Sequence, residues 1–87
     1  MTQRTVTVSN KLGLHARPSA LLVRAATKYR SEFFITKDGL QINGKSIMGV
    51  MMLAAECGSK LELAANGVDE EYLLVEVEEL INSGFGE

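Results

Sequence analysis

The sequence predicts an α+β fold: a two-layer open-faced sandwich in which three helices cover one face of a four-stranded antiparallel sheet. Three observations lead there. Several short segments alternate polar and apolar residues with period two, which describes strands with one wet face. The segments between them carry apolar residues at helical spacing or in short capped runs. The resulting order, β-α-β-β-α-β-α, lets all the helices settle on the dry face of a single sheet.

Arg4-Thr5-Val6-Thr7-Val8 alternates and reads as the first strand, ended by the loop-forming Ser9-Asn10-Lys11-Leu12-Gly13. From Ala16 to about Tyr29, the residues Pro18, Leu22, Ala25, Ala26 and Tyr29 share one helical face, with Arg24 and Lys28 turned elsewhere. Glu32 to Lys37 is a second strand, and Asp38-Gly39 is a tight hairpin turn into a third, Leu40-Gln41-Ile42. Ser46 precedes the apolar run Ile47 to Leu53 as a helix cap, and Gly58 is expected to stop that helix. Lys60 to Ala65 alternates again, and Asn66-Gly67 turns the chain. Asp69 then caps a last helix with Glu70 and Glu71 in its first turn, where the helix dipole favours acids. Leu73, Val77, Leu80 and Ile81 form its buried stripe, and Gly84 ends it.

Composition narrows the function. An 87-residue chain of uniform character is one domain, 1–87, with room for one core. The one cysteine, Cys57, excludes an internal disulfide and a Cys-rich zinc site. It has no charged neighbour but Glu56 and is expected to be buried and inert. With no signal peptide in view, a reducing, cytoplasmic setting is expected. No apolar run approaches the ~20 residues of a membrane helix. A net charge of −2 argues against nucleic acid as a partner. The charge is unevenly distributed, however. Residues 1–37 hold seven bases and one acid, whereas residues 61–87 hold eight acids and no base. A basic half on an acidic protein suits a local site for a phosphate or an acidic protein surface.

His15 is the only histidine and stands where the loop meets the first helix. With Ala16 opening that helix, His15 is the N-cap, and Arg17 and Pro18 lie in the first turn, where proline's missing N–H leaves no bond unmade. Unpaired backbone N–H groups and the positive end of the dipole then surround a nucleophilic ring nitrogen, with a guanidinium suited to phosphate close by. A lone histidine without a second ligand nearby does not support a metal site, and no serine or cysteine is held beside it for a triad. Leu14, Ile47, Met48, Met51 and Met52 are too many apolar side chains for one short helix and its surroundings to bury. Leu14, Ile47, Met48 and Met51 are therefore expected to form a docking surface beside His15.

Gly13-Leu14-His15-Ala16-Arg17-Pro18 resembles the active-site signature of HPr, the histidine-containing phosphocarrier family of the bacterial phosphotransferase system. Gly44-Lys45-Ser46-Ile47-Met48-Gly49-Val50-Met51 resembles the family's second signature, around its regulatory serine. The two stand at the family's spacing, and the resemblance covers essentially the whole chain. It implies that His15 accepts a phosphoryl group on Nδ1 from phosphorylated enzyme I and passes it to an enzyme IIA domain. It further implies that Arg17 stabilises the phosphate and that Ser46 is a regulatory site for the HPr kinase/phosphorylase. It implies a monomeric carrier rather than an enzyme, without cofactor or metal. Asn10-Lys11-Leu12-Gly13 and the stretch Ile81 to Glu87 also look like the nitrogen-related branch of the family, NPr. Sugar uptake and a regulatory relay or binding module uncoupled from it therefore both stand as readings. His15 itself weighs against a regulator working through Ser46 alone, because the family's paralogue of that kind, Crh, lacks the active histidine.

Overall fold

In the computed structural model, which describes residues 1–87, the elements are β1 (Thr2–Thr7), α1 (Ala16–Ala26), β2 (Glu32–Lys37), β3 (Leu40–Asn43), α2 (Ile47–Met52), β4 (Lys60–Asn66) and α3 (Glu70–Asn82), followed by a 3-10 turn at Gly84–Gly86. The strands are all antiparallel, in the order β1-β4-β2-β3. Register explains the two faces. Val6 sits opposite Leu61, Phe33 opposite Ala65, and Ile35 opposite both Leu63 and Ile42. That row, with Ile42 partly covered at its edge, is buried under the helices with Leu22 and Ala26 of α1 and Leu73, Leu74, Val77 and Ile81 of α3. Thr5, Glu62, Thr36 and Gln41 pair across the other face, which stays open to water. The expected architecture holds.

β1 runs Thr2–Thr7 rather than Arg4–Val8, and β3 and β4 each extend one residue further, to Asn43 and Asn66. The larger departures lie at helix ends and have local causes. α1 stops at Ala26 rather than near Tyr29, because Lys28 and Tyr29 turn back in tighter bonds to the carbonyls of Ala25 and Ala26. Tyr29 still packs against the core, so it keeps its place on the apolar face without being helical. α2 ends at Met52, well before Gly58, because Ala54 takes a positive φ of 48°. Gly58 instead donates its N–H to Val8 at 2.8 Å, tying the 53–59 loop to the end of β1. Of the stripe on α3, Leu80 is only partly buried and Leu74 takes a full place beside Leu73. At the hairpin, Asp38 and Gly39 both have positive φ, 50° and 83°, as a two-residue turn of that hand requires.

Asp69 precedes α3 but makes no side-chain cap. Its carboxylate instead accepts the Ser31 hydroxyl and the Arg30 and Ser31 N–H groups, both of the latter at 2.9 Å, and so anchors the start of β2. The Ser31 hydroxyl and then the Arg30 N–H hold its acidity at about 2, against an ordinary 3.8. Because the folded value is depressed, this stabilisation is complete above 3.8 and is lost as pH falls toward about 2. Urea midpoints measured across that window should fall less for Asp69→Asn than for the wild type. Equal acid slopes would show that the anchor contributes nothing.

Folding also rearranges the charge pattern. Acids from the second half fold back onto the bases of the first: Lys28 meets Glu76 at 2.5 Å, Arg4 approaches Glu78 at 3.7 Å, and His15 meets Glu87 at 3.0 Å. Lys28 and then the Tyr29 hydroxyl keep Glu76 below the usual carboxylate range. Arg17 and Arg24 take part in no ion pair and remain as free cations on the exposed side of α1.

Candidate functional site

His15 is the N-cap residue of α1, in extended conformation at φ −76° and ψ −170°, and its ring makes no cap hydrogen bond to the backbone. Its carbonyl accepts the Ser19 N–H at 3.0 Å, which starts the helix. The N–H groups of the first turn have no partner inside the helix, and Pro18 contributes none to be satisfied. These donors and the dipole end form a positive edge beside the imidazole. Arg17 is exposed and has no hydrogen-bond partner, so its guanidinium is free to reach an anion there.

The loop that delivers His15 is held from two sides. Gly13 adopts φ +71°, and a Cβ there would lie 2.3 Å from the Ala55 carbonyl oxygen, so only glycine lets the loop lie on the 53–59 segment. Leu14 then donates its N–H to the same Ala55 carbonyl at 2.8 Å. Asn10, itself buried, donates its side-chain amide to the Gly13 carbonyl at 2.7 Å and to Glu87 Oε1 at 3.1 Å. Glu87 Oε2 lies 3.0 Å from His15 Nε2. The imidazole is thus gripped at one nitrogen and partly exposed, and no concavity of the surface includes it. A group on this ring would stand out toward a partner rather than sit in a pocket.

Among the expected docking residues the structure separates two kinds. Ile47, Met48 and Met51 are exposed on α2, Met48 at 76%, and α2 packs beside α1. α2 buries only Val50, so its outer surface is free for contact. Leu14 does not belong with them. It is 4% exposed and lies in the core, because the bond to Ala55 turns its side chain under the loop. Leu12, exposed on the loop, and Met52 add apolar surface that sequence reasoning did not assign to the site. Ser46 is the N-cap of α2, its Oγ accepting the Gly49 N–H at 3.1 Å. Cys57 is exposed, not buried: the loop docks through the Gly58 backbone and leaves the thiol outside, 3.8 Å from the Ser9 carbonyl.

Asn10 and Glu87 stand in the two stretches that resemble the nitrogen-related branch, but nothing local ties either to the histidine, since Glu87 lies 72 positions from His15 and Asn10 reaches it only through Glu87.

A family model described as the PTS HPr component phosphorylation site matches residues 2–83. The phosphocarrier protein HPr of Treponema pallidum is 47% identical over 100% of this chain and 99% of its own. Among solved structures, HPr of Thermoanaerobacter tengcongensis superposes with a TM-score of 0.97 at 45% identity, covering 100% of this chain and 98% of that one. A dimer of HPr from the same organism matches with a TM-score of 0.81 at 45% identity, each chain covered in full, 100%.

Proposed function

The chain belongs to the HPr family of phosphotransferase-system phosphocarriers, and on that premise we propose that His15 receives a phosphoryl group from phosphorylated enzyme I and hands it to an enzyme IIA domain. The observation that supports this most directly is the half-exposed imidazole at the open N-terminus of α1, with the unpaired Arg17 beside it. A carrier needs opposite things of its site. The group must be neutralised enough to arrive and exposed enough to leave, and the few free backbone amides of the helix start with one exposed, unpaired cation suit both needs. Arg17 offers paired donors to phosphate oxygens, and the exposed face of α2 with Ile47, Met48 and Met51 supplies the contact that partners share. The IIA acceptor serves either sugar uptake or a nitrogen-related relay. In this reading the protein works in the cytoplasm as a monomer that catalyses nothing by itself. The test is a relay of purified components, with acid-labile label passing from phosphoenolpyruvate through enzyme I to this chain and on to candidate IIA domains. Label that never reaches the chain would overturn the reading.

Ser46 is a regulatory site in the same proposal, the substrate of an HPr kinase/phosphorylase. A phosphate there stays compatible with the helix it caps and places up to two negative charges at the edge of the apolar patch. Arg17 and Arg24 would attract an acidic enzyme I surface, so the added charge opposes the same approach. Aspartate can also cap a helix, so Ser46→Asp should fold normally. It is expected to slow phosphorylation of His15 at low ionic strength, with the gap to wild type narrowing as salt screens the charge. Wild-type rates in low salt would reduce Ser46 to a helix cap.

A further inference from the structure

We propose that Glu87, held by Asn10, is a positioning residue that fixes which nitrogen of His15 is free to carry the phosphoryl group. The inference rests on the carrier reading for its biological meaning, but its physical content is set by three contacts. Glu87 Oε2 lies 3.0 Å from His15 Nε2. A carboxylate only accepts, so Nε2 must hold the ring proton, and Nδ1 is left with the lone pair. Glu87 Oε1 accepts a hydrogen bond from Asn10 Nδ2 at 3.1 Å, and the same amide nitrogen donates to the Gly13 carbonyl at 2.7 Å. One buried amide thus fastens the carboxylate to the backbone two residues before the histidine, so ring and acceptor move as a unit.

The segment that brings Glu87 there is itself fixed. Phe85 is buried at φ +58°, flanked by Gly84 and Gly86 at φ +71° and +75°. The Ser9 hydroxyl bonds the Ile81 carbonyl at 2.9 Å, tying the start of the histidine loop to the end of α3. A bulky side chain held in the left-handed region is uncommon, and here its burial holds the turn in place.

The consequence for transfer can be written out. The Nδ1 lone pair forms the new N–P bond while the bond from phosphorus to the phosphorylated donor breaks, its electron pair staying with the donor. The proton on Nε2 does not move, so the ring gains a formal positive charge, which the Glu87 carboxylate offsets. When the phosphoryl group leaves, the N–P pair returns to Nδ1 and the starting state is restored.

The test uses potassium phosphoramidate, a small phosphoryl donor that needs no protein partner, on the full chain and on Glu87→Ala. Phosphorus and nitrogen NMR identify which ring nitrogen carries phosphorus. Wild type should be modified at Nδ1, and Glu87→Ala should show a roughly five- to tenfold larger share at Nε2, the loss expected of one charge-assisted hydrogen bond. In the unphosphorylated proteins, a slowly exchanging Nε2–H signal should be present in wild type and absent in the variant. Both readouts follow the ring and not the fold, and matching amide spectra would confirm that the fold is unchanged. Identical regiochemistry and identical Nε2–H signals in the two proteins would overturn the proposal. A wild type that takes phosphorus at Nδ1 from phosphoramidate, with the variant shifted, but takes nothing from enzyme I would leave this positioning role standing and remove the carrier reading instead.

Discussion

His15→Ala is expected to accept no phosphoryl group from phosphorylated enzyme I while remaining folded. The chain holds no second histidine to take over. The structural cost is small. The His15 ring makes no cap bond, so its removal orphans no backbone donor that was previously satisfied. The variant loses only a partly exposed pair with Glu87, of a kind worth about 0–1 kcal/mol. Acid-labile label should be absent from the variant, and its thermal midpoint should stay close to that of wild type. Acid-labile label that persisted would place the acceptor elsewhere. Loss of label accompanied by unfolding would remove the force of the experiment as evidence for His15, which is why the melt is measured on the same sample.

Gly13→Ala should be the most damaging single methyl near the site. Its φ of +71° strains any side chain, and the added carbon would meet the Ala55 carbonyl oxygen at 2.3 Å and Glu56 Cα at 2.9 Å. Both are main-chain atoms that cannot swing aside. Dihedral strain together with overpacking sums to roughly 2–6 kcal/mol. Gly39→Ala is the control: φ is +83° there, but nothing lies within 4 Å, so strain alone acts, at about 1–2 kcal/mol. Urea unfolding of the pair separates the two contributions. Because Leu14 hangs from the same carbonyl, Gly13→Ala should also slow transfer to His15. Equal destabilisation of the two variants would mean that the loop yields at Ala55.

The strands were legible because alternation survives in any context where one sheet face is dry, and the paired rows Val6–Leu61 and Ile35–Leu63 are that alternation made physical. Helix ends were less so. Ala54 at φ +48° and the tightened turn at Lys28 are backbone choices that no residue there announces. Within the site, His15, Arg17 and Ser46 lie in contiguous motifs whose roles depend on neighbours one or three residues away. Leu14 and Cys57 were misplaced because burial depends on what packs from elsewhere: the Ala55 carbonyl draws one inward, and the Gly58 backbone bond leaves the other outside. Asp69 was placed correctly but given the wrong task, since its partners Arg30 and Ser31 come from a distant turn.

The strand order has a kinetic side. β1 has a single neighbour, β4, with Thr2 beside Ala65 and Thr7 beside Lys60. Closing so long a loop costs chain entropy before any ladder bond repays it, so this pairing belongs to the slow, high-contact-order part of folding. The histidine loop hangs between that edge strand and α1, and it docks on the segment leading into β4. The seating of His15 therefore draws on the same long-range contacts that bring β1 to β4, through the Leu14–Ala55 and Val8–Gly58 bonds. What holds the histidine loop is non-local, so it shares the entropic cost of the sheet's most distant pairing.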